Sequence, residues 1–297
     1  MKLQLKNLYL VALVILAISC SNDKKTKSTP KKPKVETKKS KLVKNDSVSE
    51  FDQAKNNLKT FEKGKVENTI ALDNGIFIKW FKKSSGVKIK KGEMVLIEYR
   101  LALPDGKIVD GNNRLNYPCI PFVVGYNMQT PGWDLGIQQL AVGDFAKIEI
   151  PAALAMGMKG IKGIVPPNSS NWLFVKVLAR VTPGVNENGI VSWKWKDGDR
   201  KTISDSEKEI SFHAIVSTES KSSVMNSYKS NFPLRYVPGQ NTIVPGLRKL
   251  LKNAKKGERY IVVLDSDKAY GSRGYSDLIK PNEKVLYNIE ITEVRAI

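Results

Sequence analysis

The chain repeats itself along its length, and this repeat constrains the fold more than any other feature of the sequence. Asn188-Gly189 follows Asn74-Gly75 by 114 residues (188 − 74 = 114), and Pro245-Gly246 follows Pro131-Gly132 by the same number. The same separation relates Gly143 to Gly257, Gly157 to Gly271 and Pro167-Asn168 to Pro281-Asn282. Because self-similarity at one fixed period indicates copies of one structural unit, the sequence predicts two tandem domains of the same fold.

Residues 130–167 are the most informative run of the first copy. After the turn-forming Pro131-Gly132, apolar residues Trp133, Ile137 and Leu140 recur at helical spacing, which predicts a short amphipathic helix that ends at Gly143. The segment Phe145–Ile150 then alternates in the period of a half-buried strand. A glycine-rich loop with few polar side chains follows and ends at Pro166-Pro167. Helix, strand and apolar loop are therefore expected to meet at one concave site.

This run resembles the core of the FKBP-type peptidyl-prolyl cis-trans isomerases. The matching pattern is G-W-x-x-G, then V-G-x-x-A-K-I-x-I-P, then A-M-G and I-V-P-P, and it extends back through residues 92–111 and forward to residues 173–177. The resemblance implies an α+β fold of two tandem FKBP-like domains, each a bent antiparallel sheet wrapped around a short helix. The strands expected in the first copy are residues 72–81, 94–103, 120–124, 145–150 and 173–179, with a hairpin turn at 104–106.

The resemblance also implies a prolyl-peptide site in the first copy. Its catalytic residues would be Tyr99 as a wall, Asp110 at a buried edge and Trp133 as the floor. Its substrate-binding residues would be Val109, Phe122, Thr130, Met156, Ile164, Val165 and Val175. The backbone N–H of Thr130 would meet the substrate carbonyl, and Ile164 and Val165 would form a flap.

Three departures from the family pattern lie in this predicted site. Met156 stands where the family usually has Tyr, so a hydroxyl is missing. Val109 and Val175 stand where aromatic residues are common. A wider pocket with reduced turnover is therefore expected.

The second copy departs in a different way. It keeps Tyr270 and an aromatic, Tyr287, in its final strand, and a helix is predicted over residues 247–254. Leu247 replaces the floor Trp, Met225 falls near the Asp position, Phe212 is expected at the wall position, and residues 276–280 replace most of the apolar flap. This copy is therefore predicted to be a binding or structural module without catalysis.

The first residues are typical of a secretion signal. Lys2 and Lys6 precede an apolar stretch, residues 8–18, that is too short to span a bilayer, so residues 1–19 are predicted to be a signal peptide. Ala-Ile-Ser-Cys at 17–20 resembles a bacterial lipoprotein box, in which Cys20 is lipidated. The alternative is an ordinary signal peptide with Cys20 incidental. The lipoprotein reading implies a chain anchored in the bacterial cell envelope, with its domains facing the periplasm or the cell exterior.

A basic segment follows, and it explains part of the formal net charge of +20. Ten Lys lie between Lys24 and Lys44, against Asp23 and Glu36, so residues 20–50 are predicted to be a disordered Lys-rich tether. The tether is either a solvated spacer or a segment attracted to anionic head groups or cell-wall polymers. Because the excess charge is local, no nucleic-acid partner is expected. Residues 51–67 are predicted to be a short lead-in helix or linker, with the first domain at 68–183 and the second at 184–297.

The remaining residue types exclude several kinds of site. His213 is the only His, which excludes a His-rich metal centre, and neither a metal nor a cofactor is expected. Cys119 is expected to be a small buried apolar residue that does not pair with Cys20. Trp193 and Trp195, two residues apart, are expected in a core or between the domains.

The favoured function is a peptidyl-prolyl cis-trans isomerase that acts on proline-containing polypeptides outside the cytoplasm while anchored to a membrane. One alternative is a peptide-binding chaperone without turnover. Another is a structural lipoprotein of an envelope or motility complex, in which the fold is only a scaffold. The sequence contains no indication of the oligomeric state.

Overall fold

The computed structural model of the protein describes residues 64–115, 117–199 and 208–297. The predicted signal peptide, Cys20, the Lys-rich tether and most of the lead-in segment lie outside the described residues. Within the described residues, no helix combines the length and the apolar character needed to cross a bilayer.

The first sheet has seven strands, and all its pairings are antiparallel. The strands are β1 (Asn68–Ala71), β2 (Phe77–Lys82), β3 (Met94–Ala102), β4 (Ile108–Gly111), β5 (Ile120–Val123), β6 (Phe145–Ile150) and β7 (Asn171–Val181). Their order is β1-β2-β6-β7-β3-β4, and β5 also pairs with β3. Alternate residues of β3, such as Val95, Ile97 and Tyr99, point into one apolar core, while Leu96 between them points to the opposite face. We call these the inner and outer faces.

Helix α1 (Pro131–Ile137) packs on the inner face and approaches β6 closely because two of its residues are glycines. A Cβ at Gly132 would lie 2.2 Å from Cγ2 of Ile150, and a Cβ at Gly136 would lie 2.6 Å from Cγ2 of Ile148. Larger residues at either position would push the helix off the sheet. The helix therefore sits directly on the strand that precedes the glycine-rich loop.

The helix predicted after Pro131-Gly132 is confirmed, but its predicted end at Gly143 is wrong. The α-helix stops at Ile137, and Leu140 follows in a tighter turn in which its N–H donates to the Ile137 carbonyl at 3.0 Å. Gly143, with φ +92°, lies in the next turn, where its N–H donates to the Val177 carbonyl at 2.8 Å. The glycine ends the connection to β6 and not the helix.

The predicted first strand, residues 72–81, is also wrong in its first half. Leu72 N–H donates to the Ile76 carbonyl at 2.8 Å, and Gly75 N–H donates to the Leu72 carbonyl at 3.0 Å. These bonds close a hairpin between β1 and β2, with Gly75 at φ +83°. Asn74-Gly75 is thus the turn of a hairpin, a role this dipeptide favours, and only β2 continues the predicted strand.

The second sheet repeats the first. Its strands are β8 (Val185–Glu187), β9 (Ile190–Lys196), β10 (Lys208–Thr218), β11 (Met225–Asn226), β12 (Leu234–Tyr236), β13 (Arg259–Leu264) and β14 (Val285–Ala296). Their order, β11-β10-β14-β13-β9-β8 with β12 paired to β10, is that of the first sheet. Its helices are α2 (Ser227–Ser230) and α3 (Pro245–Leu251), and α3 ends three residues before the predicted Ala254. The α+β class with two tandem domains is confirmed.

The separation of the two copies is not 114 throughout. Val177 and Ile291 hold equivalent places, since each donates its N–H to a carbonyl of the preceding turn, Asp144 and Glu258 respectively. Ile97 pairs with Val177 and Phe212 pairs with Ile291, so the separation at β10 is 212 − 97 = 115. The second copy therefore has one extra residue between β9 and β10.

The two sheets pack against each other through their outer faces. Trp193, which is 2% exposed, lies at the centre of this contact, and its Nε1–H donates to the Val181 carbonyl of β7 at 2.9 Å. The first sheet and its loops contribute Met94, Leu96, Cys119, Val123, Tyr126 and Val181, and the second contributes Trp193, Ile261, Val263 and Leu286. Half-buried Trp195 packs beside them. The inter-domain role expected for Trp193 and Trp195 and the burial expected for Cys119 are confirmed. Because α1 and α3 lie on the inner faces, they are on opposite sides of the contact between the two sheets.

Candidate active site

Tyr99, Asp110 and Trp133 come together at the inner face of the first sheet. Tyr99 lies on β3 opposite Val175 of β7, and its hydroxyl donates to Oδ2 of Asp110 at 2.9 Å. The Tyr99 ring meets the Trp133 indole edge-on, with ring centroids 5.0 Å apart and planes at 70°. Oδ1 of Asp110 accepts the Gly111 N–H at 2.6 Å, so β4 holds the carboxylate in place. Residues from three separate elements thus form one hydrogen-bonded aromatic cluster.

The apolar residues predicted as walls and flap lie in the same core as this cluster. The Phe122 ring on β5 lies 5.9 Å from the Trp133 ring, centroid to centroid. Val109, Val165 and Val175 are buried in the same core. Trp133 itself is only 3% exposed, so the indole lies within this core.

The core reaches solvent on the side of the loop that follows β6. Leu154, Met156 and Ile164 are half-buried and pack against this core, while Met158 is 77% exposed. Met156 and Ile164 are therefore partly accessible to solvent and border the core that contains Trp133. These are the residues predicted as the missing-hydroxyl position and the flap.

The flap is a tight, internally hydrogen-bonded turn. Ile161 N–H donates to the Val165 carbonyl at 2.8 Å, and Val165 N–H donates back to Ile161 at 2.9 Å. Gly160 has φ +57°, and a Cβ there would lie 2.3 Å from the Val165 carbonyl oxygen. The turn therefore requires glycine, and it holds Ile164 and Val165 against the core.

Thr130 lies at the start of α1 in an extended conformation, φ −85° and ψ 156°. Its carbonyl accepts the Trp133 N–H at 3.0 Å, and the residue is 9% exposed. Within the part of the chain that the structure describes, its buried Oγ1 has no hydrogen-bond partner. Because an unpaired buried hydroxyl is costly, it marks a polar atom in need of a partner beside an otherwise apolar site.

Asp134, the residue after Trp133, is a member of the site that the sequence reasoning missed. Its carboxylate is 5% exposed and accepts the N–H groups of Gly125 at 2.6 Å and Asn127 at 2.7 Å. Burial raises the pKa of Asp134 to about 6, against the opposing effects of these two hydrogen bonds and of the Lys91 charge. Apart from an acidic residue directly after the floor Trp, the sequence contains no signal of these hydrogen bonds.

In the second copy, the three positions equivalent to the cluster hold other residues. Ala214 pairs with Ile289 as Tyr99 pairs with Val175, so Ala214 takes the wall position. The prediction of Phe212 at that position is wrong, because the 115-residue separation in β10 places Phe212 at the position of Ile97. Met225 at the Asp110 position and Leu247 at the Trp133 position agree with the predictions.

Tyr287 lies in the final strand as predicted, and the register shows which position of the first copy it matches. Tyr287 pairs with Val262 as Leu173 pairs with Ile148, so it stands at the Leu173 position, and Ile289 stands at the wall position of Val175. The Tyr287 hydroxyl donates to the Tyr270 hydroxyl at 3.0 Å. Burial, followed by Tyr270, raises the pKa of Tyr287 well above its ordinary value. The Tyr270 hydroxyl is therefore already engaged inside the domain.

The flap of the second copy is better preserved than predicted. Tyr275 and Ile279 form the same isolated bridge as Ile161 and Val165. Leu278 and Ile279 thereby take the places of Ile164 and Val165, so the expectation that residues 276–280 replace most of the apolar flap is wrong. Tyr275 and Leu278 are 54% and 41% exposed.

Comparison with known proteins identifies a single family in both halves of the chain. A family model described as "FKBP-type peptidyl-prolyl cis-trans isomerase" matches residues 85–178 and again residues 200–292. The chain is 35% identical to FK506-binding protein 2 of Yarrowia lipolytica over 104 residues, which is 35% of this chain and 72% of that protein. It is 36% identical to the peptidyl-prolyl cis-trans isomerase Fkbp12 of Drosophila melanogaster over 89 residues, 30% of this chain and 82% of that protein.

Longer relatives are matched over a smaller part of their length. The similarity to FK506-binding protein 4 of Rhizopus delemar, 34% over 108 residues, covers 36% of this chain and 28% of that protein. Among solved structures, the three FKBP domains of wheat FKBP73 align with 75% of this chain and 96% of that one, at 19% identity and a TM-score of 0.37.

Proposed function

Because the chain belongs to the FKBP-type peptidyl-prolyl cis-trans isomerase family, we propose that its first domain isomerises X-Pro bonds in polypeptides. The observation that carries this proposal is the hydrogen bond from Tyr99 to Asp110 beside the Trp133 indole. The bond links Tyr99 to Asp110, and the Tyr99 ring contacts the Trp133 ring. The three residues expected to be catalytic therefore lie together. Half-buried Met156 and Ile164 pack against the same apolar core.

The chemistry needs no covalent step. Resonance holds the X-Pro amide planar with a barrier of about 18–20 kcal/mol, and uncatalysed rotation takes tens to hundreds of seconds. An apolar site disfavours the charge-separated resonance form and so weakens the partial double bond. Groups that bind the twisted amide better than the planar one lower the barrier further.

Each element of the site has a role in this proposal. Trp133 forms the floor under the proline ring, and Phe122, Val109 and Val175 form the walls. Tyr99 and Asp110 fix the polar edge, and the Ile164-Val165 flap excludes water. The main chain of Thr130 is the handle for the substrate carbonyl, and its buried hydroxyl lies nearby. Because Met156 supplies no hydroxyl, turnover is expected to be reduced compared with a site that has Tyr there.

The second domain is proposed to be non-catalytic. Ala214, Met225 and Leu247 provide neither the aromatic wall and floor nor the acidic edge of the first site. Partly exposed Tyr275 and Leu278 favour a second candidate function for this copy, the binding of apolar peptide segments without turnover.

The protein is further proposed to act outside the cytoplasm on a lipid anchor at Cys20. Residues 1–20 support this proposal through their basic start, short apolar stretch and Ala-Ile-Ser-Cys ending. Labelled palmitate should be incorporated into the wild-type chain and not into Cys20→Ala. Equal labelling of both chains would contradict the anchor.

A protease-coupled prolyl-peptide assay on the full chain tests the enzymatic proposal. We expect turnover in the wild type and a loss of at least about tenfold in Trp133→Leu, since the floor side chain sets the shape of the site. The matched control is Tyr270→Phe in the second copy, which should leave turnover unchanged. Background rates in the wild type would reject catalysis. Suppression of client aggregation that survives Trp133→Leu would then support the binding function.

A further inference from the structure

The loop of residues 125–128, here called loop 125–128, joins the wall strand β5 to the helix that carries Trp133. Two of its residues have left-handed backbone, Gly125 with φ +92° and Asn127 with φ +49°. Glycine adopts this conformation freely, whereas for Asn127 it is uncommon and depends on surrounding contacts. A Cβ at Gly125 would lie 2.4 Å from Cγ of Lys91, so the loop also passes close to the segment before β3.

On its first-domain side, loop 125–128 is held by Asp134. The Asp134 carboxylate accepts hydrogen bonds from both left-handed residues, Gly125 and Asn127. Because Asp134 follows Trp133 directly on α1, a displacement of the loop would be transmitted to the turn of helix that positions the indole. The loop and the floor of the site therefore form one hydrogen-bonded unit.

On its other side, loop 125–128 is held by the second domain. Both N–H groups of the Asn127 amide point across the domain boundary, and Nδ2 donates to the carbonyls of Thr218 at 3.1 Å and Glu219 at 2.9 Å. Asn127 is 7% exposed. The Glu219 carboxylate forms an ion pair with Lys91 at 2.6 Å. This ion pair joins the residue directly after β10 to the segment before β3, which Gly125 approaches closely.

Apolar contacts run in parallel with these hydrogen bonds. Tyr126 is 5% exposed and belongs to the cluster between the two sheets that also contains Trp193 and Leu286. Met128 packs both against that cluster and against the inner core of the first domain, which contains Trp133. Every residue of loop 125–128 except Gly125 therefore either bonds to the second domain or packs against the inter-domain cluster.

We infer that the second domain is a positioning element of the first-domain site, which it holds through the Asn127 side chain and loop 125–128. Asn127 is a positioning residue, because it acts on Trp133 through Asp134 and touches no reacting atom. This inference rests on the proposed isomerase function for its effect on turnover, but its effect on the order of the loop is independent of catalysis. The inference assigns a structural role to the second domain, which lacks residues equivalent to Tyr99, Asp110 and Trp133 of the first domain.

The test is Asn127→Gly in the full chain. Glycine accepts the left-handed backbone and removes the side chain that makes both hydrogen bonds to the second domain. The matched control is Asn188→Gly, since Asn188 has φ +51° at an exposed hairpin turn of the second domain. Amide hydrogen exchange is measured by NMR at residues 125, 127 and 133, and kcat and KM are measured with a prolyl peptide.

In Asn127→Gly we expect faster exchange at all three amides, about tenfold or more at residues 125 and 127, because the loop opens more often. We also expect kcat to fall about five- to tenfold with a smaller change in KM, since floor geometry is altered while the apolar walls remain. Asn188→Gly should change neither. Unchanged exchange at the loop or at Trp133 would overturn the inference, as would faster exchange with full turnover. If the wild type has no turnover, the isomerase proposal fails by itself and exchange at the Trp133 amide still decides this one.

Discussion

The Tyr99 hydroxyl donates a 2.9 Å hydrogen bond to Oδ2 of Asp110, and the two residues are only 1% and 3% exposed. A hydrogen bond to a carboxylate at such depth is stronger than one at the surface, because little water competes for either partner. The bond joins β3 to β4 and fixes the Tyr99 ring edge-on against Trp133. Geometry at the site therefore depends on this pair.

Tyr99→Phe and Asp110→Asn are each expected to lower the free energy of unfolding by about 1–3 kcal/mol, since each change weakens a buried hydrogen bond. Because both remove the same interaction, the double variant should lose clearly less than the two single losses together. Urea denaturation of the four chains measures the coupling. Fully additive losses would show that the two side chains do not stabilise each other.

Met156→Tyr is expected to raise kcat/KM about tenfold, the effect of one additional hydrogen bond of about 1.4 kcal/mol made in the transition state. Met156 is half-buried and packs against the core that contains Trp133, so a Tyr hydroxyl there would add a polar group at the border of that core. The measurement is the protease-coupled rate of the full chain.

The second copy shows how a Tyr hydroxyl is used at this position. At its equivalent position, the Tyr270 hydroxyl accepts a bond from Tyr287, whereas the first copy has Leu173 in place of Tyr287 and offers no such internal partner. The substitution Met156→Phe adds a ring without a hydroxyl. Should Met156→Phe raise the rate as much as Met156→Tyr, ring size and not hydrogen bonding would be limiting.

The first site was predictable from the sequence because its residues lie in spaced motifs on regular elements. Trp133 follows from local spacing, and Tyr99 and Asp110 follow from the resemblance to the family's motifs; the structure brings the three residues together. The second site was less predictable. One extra residue before β10 places Ala214, and not Phe212, at the wall position. The glycine and proline pairs that are 114 residues apart lie outside β10, so they contain no information about its register.

The contact between the domains was beyond the reach of local patterns. Trp193 was recognisable as a packing residue, but its partners, such as Leu96 and Leu286, lie on the outer faces of two different sheets. Asp134 was missed for the same reason. Its partners are backbone N–H groups of a left-handed loop, and side-chain periodicity contains no information about them.

Thr130→Val is expected to raise the free energy of unfolding by about 1 kcal/mol and to lower kcat/KM. The change replaces a buried hydroxyl that has no partner among the described residues with a methyl group of similar size, which removes a desolvation cost. A hydroxyl retained at such a cost is typical of a functional site. Urea denaturation and the peptide assay measure the two effects. A loss of stability would show that the hydroxyl is satisfied inside the protein.

Asp134→Asn is expected to change how stability depends on pH. Burial raises the pKa of Asp134 to about 6 in the folded chain, above its ordinary value of 3.8. The folded chain therefore binds this proton more tightly than the unfolded chain between those values. The resulting stabilisation is complete below about pH 4 and is lost as the pH rises through 6, and it amounts to at most about 3 kcal/mol.

The variant cannot titrate at this position, so the stability of the wild type minus that of Asp134→Asn should be greater at pH 4 than at pH 7. Glu93→Gln is the control of opposite sign. Although burial raises the pKa of Glu93, hydrogen bonds from the Lys90 N–H and Arg180 lower it overall, so its contribution is lost as the pH falls. Urea denaturation at both pH values measures each difference. If the Asp134 difference is the same at both, the carboxylate keeps an ordinary pKa, and its two backbone hydrogen bonds compensate fully for its burial.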